Sequence, residues 1–221
     1  IFWFIVLTPH TETILVLSRL VEGHIDIQKL VAFEGTFDKL LNIIKSEGGL
    51  LGGVTVEDCL RLMSSLLQYN VSNQKLFRET SAVPQLADLL ILDSDPNEPS
   101  PILDEQSTNN VLETFEICRL FVREGNDSTF VNQTVLSNAG ILFNTLRLAF
   151  GSFANIPIRS KALLTVADLV RSNPELQEKL ASIDVPYVDL SIAKAAQKAP
   201  CPPVRARTRR RGRDRAAPAG A

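Results

Sequence analysis

The sequence predicts an all-α chain in which about four helical repeats stack side by side. Three observations predict it. Four glutamines, Gln28, Gln74, Gln133 and Gln177, each follow an aliphatic run and a short polar turn, and each is followed three residues later by an apolar residue: Val31, Phe77, Leu136 or Leu180. The hydrophobic share is 45% but the aromatic share only 6%, so the interior is filled by Leu, Ile, Val and Ala, as in helix-on-helix packing. No stretch alternates apolar and polar residues between hairpin turns, as strands would.

Each unit opens with an amphipathic helix. The apolar spacing places these helices over 11–22, 55–69, 107–124 and 158–172; Val56, Leu60, Met63 and Leu67 recur at three- and four-residue steps, as do Val111, Phe115, Cys118 and Val122. A polar turn follows. In Asn173-Pro174 the asparagine suits an N-cap and the proline a first helical position, where its missing N–H costs nothing. Asn70 and Thr129 hold the same place relative to their glutamines, and His24 holds it in the first unit. Second helices are expected over 26–45, 73–92, 130–150 and 175–195, with breaks near Gly35, Pro84, Gly140 and Pro186. Gly48, Gly49, Gly52 and Gly53 separate the first unit from the second.

The glutamines are 46, 59 and 44 residues apart. The long interval has local causes, an Asp/Pro/Ser loop at 93–106 and extra residues at 123–128, and loops accept insertions because closure entropy grows slowly with length. Without them the unit is about 45 residues, within the armadillo and HEAT range. The expected fold is therefore an armadillo/HEAT-like right-handed superhelix over 12–195. Residues 1–11 form an opening that the repeats do not claim, and 196–221 an Arg/Pro/Ala-rich tail with too few apolar residues to fold, hence disordered.

Charge divides along the same boundary. The formal net charge is −2, but residues 199–221 carry seven Arg against one Asp, which leaves the body at −8. An acidic body disfavours nucleic-acid binding, where phosphate contacts supply most of the affinity. Cys59 and Cys118 sit inside apolar helical patterns and Cys201 in the tail; none has paired or metal-type spacing, which fits reduced thiols in a cytosolic setting. Asn70, Asn126 and Asn132 begin glycosylation sequons that matter only on a secreted chain. Ile1–Leu7 is apolar but far shorter than the roughly 20 residues that cross a bilayer, and no charged segment precedes it as in a signal peptide.

Chemistry has little material here. His10 and His24 are the only histidines and neither sits among Cys, Asp or Glu at metal-ligand spacing. No nucleophile elbow, Walker loop or His-Glu-x-x-His occurs. No catalytic residue, cofactor site or metal site is expected, and the chain reads as a binding protein rather than an enzyme. Asp93, Asp95, Glu98, Asp104 and Glu105 lack the order of a calcium loop and read as a solvated insertion. The polar cluster after the second turn is the candidate for function. Asn70 and the four glutamines, Gln28, Gln74, Gln133 and Gln177, read as structural repeat turns, because buried polar groups need partners. Arg78 and Glu79 do not recur between units and are the candidate partner contacts, with Asn73 beside them.

Two long strings carry a family resemblance: Ile27-Gln28-Lys29-Leu30-Val31-Ala32-Phe33-Glu34-Gly35, and the stretch 54–90, with Val-Glu-Asp-Cys-Leu at 56–60, Ser-Leu-Leu at 65–67 and Asn-Val-Ser-Asn-Gln-Lys-Leu-Phe-Arg-Glu at 70–79. Both resemble the globular head of the general vesicular transport factors, the Uso-type tethers of ER-to-Golgi traffic, and the likeness covers roughly 12–195. The resemblance implies an armadillo-like head that docks transport vesicles to Golgi membranes before SNARE-mediated fusion. It implies a Rab-family GTPase, golgins and SNAREs as partners, and a cytoplasmic location peripheral to Golgi and vesicle membranes. Full-length members dimerise through a coiled coil and end in an acidic tail; neither is in this sequence. The alternatives are an armadillo-type nuclear-import adaptor, disfavoured because the one tryptophan, Trp3, lies outside the repeats, and a nucleic-acid-binding protein acting through the basic tail.

Overall fold

The computed structural model describes residues 9–92, 103–123, 128–151 and 154–183. These belong to a compact unit that spans Ile1–Val188; a second unit, Asp189–Ala221, lies outside the described residues, as do the predicted tail and the break at Pro186. Eleven α-helices and no strand occur among the described residues. The first unit contains α1 (Pro9–Val21), α2 (Ile25–Phe33) and α3 (Thr36–Ser46); the second, α4 (Val54–Leu67), α5 (Val71–Glu79) and α6 (Ala82–Leu89). The third contains α7 (Glu105–Phe121), α8 (Thr129–Asn138) and α9 (Ile141–Phe150), and the fourth α10 (Ile156–Val170) and α11 (Pro174–Ala181).

Each expected second helix of the first three units is thus two helices, and a unit is a helical triad. Gly35 and Gly140 stand at the breaks with φ of 73° and 94°, left-handed values that a residue without Cβ adopts freely. In the second unit the break falls at Ser81, three residues before Pro84, and the proline sits inside the first turn of α6. The long first helices stack in sequence, α1 on α4, α4 on α7 and α7 on α10, while α3, α6 and α9 stack alongside.

Burial follows this stacking. Leu60, Leu62, Met63, Leu66 and Leu67 of α4 are fully buried because α4 has a first helix on either side. Val16 and Leu20, which hold the places of Leu62 and Leu66 in α1, are 59% and 50% exposed. Phenylalanines link the units through the core. The Phe37 and Phe77 rings meet edge to face with centroids 5.0 Å apart, and Phe77 lies 5.3 Å from Phe121. Cys59 and Cys118 are buried free thiols, and burial pushes both up to about 12; Cys201 lies outside the described residues.

The glycine-rich connection between α3 and α4 is closed tightly. A Cβ on Gly52 would collide with the Glu47 carbonyl oxygen and come within 2.6 Å of Val56 Cγ2. Fully buried Asn110 of α7 holds it from the third unit, its Nδ2 donating to Leu50 O at 3.1 Å and Gly52 O at 2.8 Å. Of the expected acidic loop, the part at 93–102 lies outside the described residues. Asp104 and Glu105 open α7: Asp104 is its N-cap, accepting from Ser107 N at 2.8 Å, and that backbone hydrogen bond holds the carboxyl below the usual range.

Candidate partner-binding surface

The end of a helix leaves carbonyls without intrahelical donors. In three units the glutamine supplies one. Nε2 of Gln28 donates to Val21 O at 3.1 Å, that of Gln74 to Leu67 O at 2.9 Å, and that of Gln177 to Val170 O at 3.0 Å, each seven residues back on the preceding helix. Gln133 departs from the repeat. Its amide donates one unit onward, to Asp168 O at 3.3 Å and Arg171 O at 2.9 Å. Asn132 Nδ2 donates to the Phe121 carbonyl at 2.7 Å, as Asn73 Nδ2 does to that of Leu66 at 2.8 Å.

The cap asparagines join units together. Asn70 Oδ1 accepts from Asn73 N at 3.2 Å while its Nδ2 donates to Gln28 Oε1 at 3.1 Å. Asn173 repeats the arrangement, with Leu176 N at 3.2 Å and Gln133 Oε1 at 3.1 Å. Each amide group therefore closes its own turn and grips the unit before it. Between the second and third units the link is different: Arg78 Nη1 donates to Asn132 Oδ1 at 2.6 Å. Two cap expectations are corrected. His24 stands at the N-cap of α2 without a side-chain cap bond, since imidazole does not reproduce the short carbonyl arm of asparagine. Ser128, not Thr129, is the N-cap of α8; Thr129 is the first helical residue, and its hydroxyl donates to Arg123 O at 3.2 Å.

The candidate contact residues do not form one patch. Asn73 is 2% exposed and faces inward, its Nδ2 donating to Leu66 O at 2.8 Å and Gln28 O at 3.1 Å. Arg78 is half-buried in the link to Asn132. Glu79 faces solvent, 3.9 Å from Lys75 Nζ. An apolar edge that sequence reasoning missed runs beside them. Ile25, Val71 and Phe130, all three residues before a repeat glutamine, are each more than half exposed. Tyr69 is 77% exposed with φ of 57°, and Arg123 Cζ lies 5.9 Å from its ring centroid. The signal was present in the alignment on the glutamines: Tyr69 and Ser172 (φ 55°) occupy the position of Gly23 (φ 74°), where a left-handed residue turns the chain.

Among the described residues no group of three His, Cys, Asp or Glu could hold a metal ion, and no helix is long and apolar enough to cross a membrane. The arrangement offers binding surface: stacked helical units with an apolar, aromatic edge.

Fold and turns define an armadillo-like helical-repeat protein. No protein-family model matches the chain. It is similar to Intracellular protein transport protein USO1 of Saccharomyces cerevisiae, with 44% identity over 82% of this chain and 10% of that protein. It is 30% identical to General vesicular transport factor p115 of Bos taurus over 79% of this chain and 18% of that one, and 34% identical to Golgin candidate 6 of Arabidopsis thaliana over 77% and 19%. The crystal structure of Uso1-2 superposes with a TM-score of 0.78 at 42% identity, covering 81% of this chain and 26% of that one. The chain belongs to the Uso1/p115 family of vesicular transport factors, and it spans between about a tenth and a fifth of the length of these relatives.

Proposed function

We propose that this chain is part of the binding head of a vesicle tether, a scaffold that helps dock transport vesicles to Golgi membranes in ER-to-Golgi and intra-Golgi transport before SNARE-mediated fusion. The observation that carries the reading is the identity shared with the yeast transport protein across four-fifths of the chain, in the same stacked fold. The proposed partners are proteins: a Rab-family GTPase, golgins and SNAREs, through which the tether would sit peripherally on Golgi and vesicle membranes. Stacked repeats favour this role, because affinity comes from a few anchors and matched charge on a long, rigid surface. On that surface Glu79 is the proposed direct contact and Arg78 a contact at the junction of units, with Asn73 fixing α5 beneath them.

Replacing the matching segment of yeast USO1 with this chain tests the reading. A folded chimera that sustains delivery of secretory cargo to the Golgi supports it. A chimera equally abundant and folded that leaves cargo in the ER contradicts it. Within a working chimera, Glu79→Lys is expected to slow delivery without changing the melting temperature.

A further inference from the structure

The first helices line two grooves, and the first of these also takes in the turn residues Gly23, Gln28 and Gln68. One, of about 810 Å³, lies between α1 and α4, and its exposed apolar residues are Leu15, Ile25 and Tyr69. The other, of about 480 Å³, lies among α4, α7 and α10, with Leu112, Pro157 and Leu164 as its apolar residues. Arg61 lines both, so they form one track that runs from the first unit to the fourth.

Charge along the track is unevenly matched. Each lining cation has a carboxylate: Arg19 pairs with Glu22 at 3.4 Å, Arg61 with Glu57, and Lys161 with Glu116. Two lining carboxylates remain, Asp58 in the first groove and Glu113 in the second, neither with a hydrogen-bond or ion-pair partner among the described residues. Burial is the main influence on Asp58 and pushes its carboxyl above the usual range, with Arg61 acting against it. Each groove thus pairs apolar side chains, exposed or half-buried, with one half-buried acid that forms no ion pair.

We propose that this track docks a linear protein segment bearing two basic side chains among aliphatic ones, one Lys or Arg meeting Asp58 and the other Glu113. The apolar side chains of the segment cover Leu15, Ile25 and Tyr69 at one end and Leu112 and Leu164 at the other. The site is independent of the transport role, since it stands on the pairing of charges and the exposed side chains alone.

The probe is a short fluorescein-labelled peptide with two lysines set among leucines and serines, titrated into the full chain by fluorescence anisotropy. Asp58→Asn with Glu113→Gln is expected to weaken binding about tenfold, the size of two partly screened charge contacts. Glu175→Gln, on exposed α11 outside the track, is expected to leave it unchanged, and matching melting curves show that the variants fold. A peptide with its lysines replaced by glutamine, or its leucines by serine, is expected to bind at least as poorly. Three outcomes overturn the proposal: no binding of the probe, equal loss with Glu175→Gln, or equal binding of the leucine-free peptide, which would be general attraction to an acidic body. Self-association of the chain that disappears in the double variant would assign the track to a second copy and overturn it too.

Discussion

His24 and Asn70 have nearly the same backbone, φ and ψ of −114° and 87° against −119° and 88°, yet only Asn70 caps its helix. A side chain with the carbonyl arm of asparagine should therefore work at once in the first turn. His24→Asn is expected to stabilise the protein by about 1 kcal/mol, read from the urea midpoint; no shift would mean the turn cannot present the cap. The left-handed residues allow a second comparison. Exposed Ser172 sits at φ 55°, so Ser172→Gly should relieve roughly 1 kcal/mol of strain. Tyr69→Gly should gain less, because it also removes the ring over which Arg123 lies, a contact of about 0.5–1 kcal/mol at an exposed site. Equal gains would remove any energetic role from that contact.

At the scale of elements, much of the architecture was legible. Three- and four-residue apolar spacing located the first helices to within a few residues, because that period is imposed by the buried stripe itself. Gly35 and Gly140 marked breaks, but their reading as helix-to-helix junctions needed the left-handed φ that coordinates supply. The change of partner at Gln133 was not legible. The motif is intact at 133, yet its amide donates to carbonyls at the end of α10. Asn110 was likewise invisible, since its acceptors lie about 60 residues away. The glycine connection it grips should resist change. Gly52→Ala is expected to cost about 2 kcal/mol or more by forcing the Glu47 carbonyl and Val56 apart, visible as a lower urea midpoint with unchanged slope. The candidate contacts were only partly readable, because side-chain direction on α5 decides that Glu79 faces solvent and Asn73 does not.

Across the whole molecule, the turns and the core act on the same junctions. Phe37, Phe77 and Phe121 connect the first three units through the interior, and the asparagine–glutamine pairs clamp the first junction and the last. The core also carries the two thiols. Their folded values of about 12 exceed the ordinary value of 9.0, so the native state keeps its protons where the unfolded chain loses them. This stabilisation is fully present below pH 9 and should fade as pH rises from 9 towards 12. Replacing both cysteines with alanine should flatten that alkaline decline in chemical denaturation; an equally steep decline would place its source elsewhere. Held together in this way, the units present one continuous surface, which is the property a tethering scaffold requires.

The central claim is that amide pairs at the turns couple neighbouring units energetically, and a double-mutant cycle on Gln28→Ala and Asn70→Ala measures it most directly. The account predicts a coupling of about 1 kcal/mol between the two positions, although they lie 42 residues apart in sequence. Additive losses, agreeing within about 0.3 kcal/mol, would contradict it.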